Sequence, residues 1–403
     1  MSEKALKLKK QDGDLWIVVL TAALSIFGLI MVFSSSLYYS LSKFGNTWHY
    51  LAEDAKWMAL GWFMFIVAAN FDYRVIRPFA KLILAVGIVL LCLIYTPLGK
   101  TINNATRWID LKVITIMPGE IIKTCLIIYL ARFYADDPDR IHMRLWQGKG
   151  TNRNKPYGPQ TALPLIWIFA LMGGCFLLIY KQPNFSTAGI VALLIAGIMF
   201  AAGLSLFFVA AIGGAGVAGL TLIMNSPSYE YMRDRITGFT DPFLDPLGEG
   251  YQVVQGLLAM GSGGVIGTGL GQSIQKTLYL PEPMNDFILA IIGEELGFVG
   301  IICLMVVYIA LIWRIFRVSL RCRDYFGMLL CAGVGIHLSL QVILNIAVVT
   351  ASFPPTGVVL PLVSLGGNAT ILMLAELGMV VNISKRSAAV NAAAKQKAEE
   401  TAQ

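Results

Sequence analysis

Long apolar segments recur along the whole chain and are separated by shorter polar ones. A helix that crosses a bilayer needs about 20 mostly apolar residues, so segments of roughly this length predict membrane spans. Ten segments fit this pattern: 15–36, 57–70, 79–96, 113–133, 163–180, 187–204, 206–224, 287–313, 326–350 and 368–384. The second is short for a span. The pattern predicts an all-α polytopic membrane protein with about ten transmembrane helices.

The basic residues predict how these spans are oriented. If the N-terminus is cytoplasmic, 21 of the 31 Lys and Arg residues fall on the cytoplasmic side, because loops on that side are enriched in Lys and Arg. Both termini are then cytoplasmic, and the chain is a multi-pass protein of the cell membrane. The net charge of +7 reflects this asymmetry and not a nucleic-acid partner.

The spacing of the spans predicts one membrane domain, residues 1–386, followed by a flexible cytoplasmic tail, 387–403. A large external loop, 225–286, lies between spans 7 and 8. It contains "YQVVQGLLAMGSGGVIGTGLGQ", which is apolar but too rich in glycine to span the membrane. We expect this stretch to lie at the membrane interface or to re-enter the membrane. Its glycines match neither nucleotide-binding pattern, and tight backbone turns explain them better.

Only 14% of the residues are charged, against about a quarter in soluble domains. Ionisable residues inside predicted spans are therefore candidates for function. Glu120 and Lys123 lie three residues apart on one helix face, so they either form an ion pair or line a polar cavity. Glu294 and Glu295 point about 100° apart and cannot share one environment. His337 is more typical of a satisfied interior histidine than of a metal ligand, and the pattern assigns Glu376 no partner.

Asp286 lies at the outer end of span 8, just after Pro281 and Pro283. A carboxylate at this position can cap the helix, because the first turn has free N–H groups. It can equally serve as a general base at the outer surface. Spacing leaves both interpretations open.

Several stretches together resemble the SEDS family (shape, elongation, division and sporulation), which includes FtsW, RodA and SpoVE. They are "NNATRWIDL" (103–111), "MPGEIIK" (117–123), "KQPNFSTA" (181–188), the block 241–300, "QVILNIAVVT" (341–350) and "FPPTGVVLPLVSLGGNA" (353–369). They occur in family order across most of the chain. The stretch "GLGQSIQKTLYLPEP" is more similar to the FtsW and SpoVE branch than to RodA.

The resemblance implies a peptidoglycan glycosyltransferase that polymerises lipid II at the outer face of the cytoplasmic membrane, for cell division or sporulation. It implies Asp286 as the general base and lipid II and polyprenyl-pyrophosphate-linked glycan as ligands. A class B penicillin-binding protein and other division or sporulation proteins would be its partners. Substrate-binding candidates are Arg107, Lys123, Arg235 and Lys276, which could offset diphosphate charge, alone or with a divalent cation such as Mg²⁺ or Mn²⁺. Residues expected to be structural or to line a cavity are Glu120, Glu294, Glu295, Ser364, Gly366 and Gly367.

The chain departs from the usual family residues at Gly119, Asn184, Asn285 and Leu365 and in the neighbouring Asn368 and Ala369. Because Asp286 is retained, we expect an active enzyme. A lipid II flippase is the alternative and would need charged residues along a path through both leaflets. A non-catalytic scaffold for a penicillin-binding protein is a third hypothesis, and it predicts that Asp286→Ala leaves function intact.

Overall fold

The computed structural model describes residues 13–402, apart from 103–104, 111–114, 138–162, 183, 206–209, 211–212, 215–241, 244 and 249. The described chain is mainly helical. The helices are α1 (Leu15–Phe44), α2 (His49–Asn70), a 3₁₀ helix (Tyr73–Phe79), α3 (Ala80–Leu93), α4 (Pro118–Asp136), α5 (Leu163–Tyr180), α6 (Phe185–Ala201), α7 (Tyr251–Gly263), α8 (Ile288–Arg321), α9 (Tyr325–Val349) and α10 (Gly367–Ala402).

Local sequence explains several helix ends. The Asp14 side chain accepts a hydrogen bond from Trp16 N and caps α1, which ends at Gly45 in the left-handed conformation (φ 65°). Pro118 occupies the first turn of α4, where its missing N–H costs nothing. Asp324 caps α9 by accepting from Gly327 N.

Each predicted span except the seventh overlaps a helix, and the polytopic membrane fold is confirmed. The seventh span falls almost wholly outside the described residues. Among the described residues, five helical segments are long and apolar enough to cross a membrane, and α5 and α6 are shorter apolar helices. The long segments are Leu15–Phe44, Tyr73–Leu93, Ile288–Arg321, Tyr325–Val349 and Gly367–Ala389. The total of ten spans and the extent of the external loop stay predictions.

Several predicted boundaries were wrong. Helix α2 begins at His49, eight residues early, because its charged first turns lower the local hydropathy without breaking the helix. Helix α4 begins at Pro118 rather than at 113. Helix α10 extends to Ala402, and the division into a membrane domain and a cytoplasmic tail stays a prediction.

The all-α fold class is confirmed, and one small sheet accompanies the helices. A three-stranded antiparallel sheet precedes α4, in the order β1 (Gly99–Ile102), β2 (Ala105–Asp110), β3 (Thr115–Ile116). Gly99 pairs with Ile109, and Asp110 pairs with Thr115. The sheet leads directly into α4, so it sets where that helix begins.

The glycine-rich stretch after α7 packs against a break in α8. Gly297 leaves the helical conformation (φ 68°, ψ −170°), and a Cβ on it would lie 2.3 Å from Gly267 N. Backbone hydrogen bonds cross this contact, from Gly269 N to Glu295 O at 3.0 Å and from Phe298 N to Gly264 O at 2.9 Å. These hydrogen bonds therefore pair backbone groups that the break in α8 leaves without helical partners. Irregular backbone is tolerated at membrane depth in this way.

Candidate functional site

Asp286 lies in a turn whose backbone is held from two sides. Its carbonyl oxygen accepts a hydrogen bond from Asn345 Nδ2 at 2.8 Å, and the same nitrogen donates to Val358 O at 2.8 Å. Leu365 N donates to Met284 O at 3.0 Å. Helix α9 and the loop before α10 thus fix the backbone on either side of the half-buried Asp286.

The residue at the N-cap position of α8 is Phe287, not Asp286, and Phe287 makes no side-chain capping bond. Asp286 lies one residue earlier, at the mouth of the helix. Upstream, Glu282 has a left-handed backbone (φ 42°), and its carboxylate accepts from Asn285 Nδ2 at 2.8 Å. This acid–amide contact stiffens the turn immediately before Asp286.

The two adjacent glutamates in the first half of α8 occupy different environments, as their 100° separation predicts. Glu294 is buried and accepts from the Ser273 hydroxyl at 2.5 Å and from Ile274 N at 2.8 Å. It therefore holds the turn after the glycine-rich stretch. These hydrogen bonds satisfy the oxygens of a buried carboxylate.

Glu295 forms an ion pair with Lys276, with Nζ and Oε1 2.6 Å apart. Ser34 of α1 completes the cluster by donating to Glu295 at 2.7 Å and accepting from Lys276 at 3.0 Å. The Lys276 side chain is only 2% exposed. Its predicted role in binding substrate from an external loop is not supported by this position, because the ammonium group is buried and neutralised.

Glu120 and Lys123 form the ion pair that their spacing allows, at 2.8 Å, with side-chain exposures of 11% and 1%. They lie in the first two turns of α4, below the small sheet. Arg107 is half-buried in β2, and Arg235 lies outside the described residues. The structure thus places Lys123 in a pair with Glu120 and keeps Arg107 on a different element.

The loop 353–366 connects these elements. Ser364 is buried, and its hydroxyl accepts from Leu360 N at 2.9 Å, which folds the loop into a tight turn. A Cβ on Gly366 would lie 3.1 Å from the Val359 side chain, and one on Gly367 would lie 2.9 Å from the Trp57 ring. Both glycines therefore allow close packing at the start of α10.

A chain of contacts links α4 to Asp286. A Cβ on Gly119 would lie 3.1 Å from the Thr187 side chain of α6. Ser186 of α6 donates to Thr356 O at 2.7 Å. Val358 lies in the same loop as Thr356, and its carbonyl oxygen accepts a hydrogen bond from Asn345. The predicted site residues on α4, the loop and α8 therefore belong to one packed unit.

The described residues do not form an evident cation site. Within them, no group of three or more His, Cys, Asp or Glu side chains is arranged to hold a metal ion. The involvement of a divalent cation stays a prediction.

Comparison with known proteins decides the family. The sequence profile of the Cell cycle protein family, which comprises FtsW, RodA and SpoVE, matches residues 15–389. The chain belongs to this family. Stage V sporulation protein E of Bacillus subtilis is 34% identical over 381 residues, which are 94% of this chain and 99% of that protein. The probable peptidoglycan glycosyltransferase FtsW of Coxiella burnetii is 34% identical, over 92% and 96% of the two chains.

Solved structures agree with the fold. A chain of a peptidoglycan synthase complex that coordinates polymerization and crosslinking superposes with a TM-score of 0.70 at 26% identity, covering 92% of this chain and 97% of that one. The rod shape determining protein RodA of Thermus thermophilus gives a TM-score of 0.64 at 24% identity, covering 93% and 97%. The second likeness supports the fold alone.

Two departures from the usual FtsW/RodA/SpoVE residues lie side by side. A Cβ on Gly119 would be 3.6 Å from Asn184 Nδ2. Asn184 is buried and caps α6 by accepting from Thr187 N at 3.4 Å. The side chain of residue 184 thus lies within the packed bundle. Leu365 contributes its backbone N–H to the Asp286 turn, and a change of side chain leaves that bond intact.

Sequence reasoning missed two features. Asn345 was quoted within a family stretch but was given no role, although a buried amide in an apolar helix is itself a signal. The sequence pattern assigned Glu376 no partner, but in the structure this residue of α10 contacts side chains of α4 and α9. It accepts from Thr124 of α4 at 2.6 Å and contacts His337 Nδ1 of α9 at 2.8 Å. His337 is thus an interior histidine with a partner.

Proposed function

We propose that this chain is a peptidoglycan glycosyltransferase that polymerises lipid II at the outer face of the cytoplasmic membrane. The observation that carries the proposal is Asp286, a half-buried carboxylate whose backbone is fixed by Asn345 at the mouth of α8. A positioned carboxylate can accept a proton from a sugar hydroxyl, which is a poor nucleophile at neutral pH. Relatives named peptidoglycan glycosyltransferase support this assignment.

In the proposed reaction, the acceptor hydroxyl oxygen attacks the anomeric carbon of the donor sugar. Asp286 takes the hydroxyl proton as the new C–O bond forms. The bond from the anomeric carbon to the diphosphate breaks, and the polyprenyl diphosphate leaves with the electron pair. The fixed backbone of Asp286 contributes to catalysis, because a general base is effective only when its carboxylate is correctly positioned.

The leaving diphosphate needs positive charge. Lys276 is buried against Glu295, and Lys123 is paired with Glu120. We therefore propose that Arg107 and Arg235 are the better candidates for contacting the diphosphate, and that the Lys123–Glu120 pair orients the wall of the site. A divalent cation supplied with the substrate would serve the same purpose.

We also propose that a class B penicillin-binding protein is the partner, because the similar solved chain belongs to a complex that couples polymerization to crosslinking. Division and sporulation both stay open as settings, since relatives of both kinds are similar. The Asp286 end would face outwards, as the distribution of basic residues predicts.

The experiment is reconstitution of the full chain in liposomes with lipid II, with and without a candidate penicillin-binding protein that carries an inactivated transpeptidase site. We expect glycan polymer on a gel when both proteins are present. Accumulation of lipid II in the opposite leaflet without polymer would favour the flippase alternative. Polymer formed by a partner with its own transferase activity would be excluded by testing that partner alone.

A further inference from the structure

Two cavities open at the end of the bundle opposite Asp286, where α8 ends and α10 runs past the α8–α9 turn. The larger has a volume of about 220 Å³ and the smaller about 150 Å³. Ser387 lines both of them, and its hydroxyl donates to Arg321 O at 3.0 Å. The two cavities therefore share one wall.

The larger cavity has a net basic lining, although Arg74 is ion-paired with Asp324 at 3.9 Å and Arg386 with Asp72 at 3.0 Å. Arg74, Arg323 and Arg386 line it, against the single carboxylate of Asp324. Asp324 is already engaged, because it accepts from the Tyr73 hydroxyl at 2.7 Å. Three arginines present many N–H donors to an anion, and the planar guanidinium group matches the geometry of phosphate oxygens.

One of these donors has no partner in the described part of the chain. Arg386 Nη1 binds Asp72 at 3.0 Å, but Arg386 Nε is buried and makes no hydrogen bond with the described residues. A buried N–H donor without an acceptor costs about 1–3 kcal/mol. An anion seated in the cavity would supply the acceptor.

The smaller cavity continues the basic surface. Arg317 and Arg321 line it together with Asp14. The charge of Asp14 is matched by Arg314, at 2.6 Å. The two cavities thus offer positive charge on both sides of Ser387.

Neighbouring side chains place these cavities at the level of lipid headgroups. Trp313 is 57% exposed, and the Arg314 and Arg317 guanidinium carbons lie 5.8 and 5.1 Å from its ring centroid. Exposed tryptophan beside arginine is typical of the membrane–water interface. Leu320, next to the cavities on α8, is 85% exposed and offers an apolar surface for acyl chains.

We propose that the two cavities bind the phosphate groups of an acidic phospholipid. The arginines contact phosphate, and the exposed apolar surface of α8 contacts the acyl chains. Basic pockets between helices on the predicted cytoplasmic side are suited to such lipids. Two cavities with one shared wall fit a lipid with two phosphates, such as cardiolipin, better than a lipid with one.

The test is thermal unfolding and native mass spectrometry of the full chain in detergent, titrated with cardiolipin, phosphatidylglycerol or phosphatidylcholine. We expect cardiolipin to bind most tightly, in a defined stoichiometry, and phosphatidylcholine to have no effect. The variant Arg323→Gln with Arg386→Gln should weaken cardiolipin binding by roughly tenfold or more. Arg323→Gln alone changes an exposed side chain, so this variant should fold normally. It should weaken cardiolipin binding by a smaller factor than the double variant.

The matched control is Lys81→Gln, which removes one exposed positive charge from the same end of the bundle but lines neither cavity. Loss of lipid binding equal to that of Arg323→Gln would overturn the proposal in favour of general charge attraction. Inorganic phosphate or pyrophosphate binding as tightly as the lipid would identify a site for soluble anions instead. Equal binding of all three lipids would also contradict the proposal.

Discussion

The buried pair between Lys276 and Glu295 gives the sharpest test of how α8 is held against α1 and the segment before Asp286. Replacing Lys276 with Met keeps the length of the side chain but leaves Glu295, which is fully buried, with Ser34 as its hydrogen-bond donor among the described residues. Removing one partner of a buried ion pair costs about 3–5 kcal/mol, because the other charge stays uncompensated. We expect the midpoint of thermal unfolding to fall by roughly 4–6 °C.

The double variant Lys276→Met with Glu295→Leu is the control. Well-packed apolar residues often replace a buried pair at little cost, so the double variant should recover most of the lost stability. The assay is thermal unfolding in detergent followed by size-exclusion chromatography, with polymerisation measured on the same samples. A Lys276→Met protein that unfolds at the wild-type temperature and yet does not polymerise lipid II would refute the structural role of Lys276. That result would favour Lys276 as a substrate-binding residue.

Three further predictions concern the packing around the site. Asn345→Ala should remove the bonds to Asp286 O and Val358 O and lower the polymerisation rate with little loss of folded protein, measured by a kinetic assay beside a thermal melt. Gly297→Ala should reduce the yield of folded protein, since φ is 68° there, whereas Gly174→Ala meets no atom within 4 Å and should be neutral. Glu376→Leu and His337→Leu should each destabilise by about 1–3 kcal/mol, and together by less than their sum.

Hydropathy predicted the helices well, but not their ends. An apolar window detects the part of a helix that lies in hydrocarbon, so the polar first turns of α2, including Glu53 and Lys56, were left out. The short strands β1 to β3, of which β2 contains Arg107, have no strong hydropathy pattern of their own. Their pairing depends on the turn between them, which a search for membrane spans does not examine.

The chemistry of the site was predictable in part. The position of Asp286 at a helix mouth followed from spacing, whereas its role as general base stays a prediction from family resemblance. The cluster around Lys276 could not be predicted, because Ser34, which completes the ion pair of Lys276 with Glu295, lies 242 residues away along the chain and only tertiary packing brings them together. The same holds for Glu376, whose partners lie on α4 and α9. A buried charge signals that a partner exists, but the sequence does not say which residue it is.

The most direct test of the account is the single-turnover rate of lipid II polymerisation by Asp286→Asn, compared with Glu282→Gln. Both changes remove one carboxylate from the same turn, and Glu282→Gln keeps an oxygen that can accept from Asn285. We predict that Asp286→Asn loses about 10²–10⁴-fold in rate at an unchanged unfolding temperature, while Glu282→Gln stays within a few-fold of wild type. Polymerisation by Asp286→Asn at the wild-type rate would contradict the assignment of Asp286 as the general base.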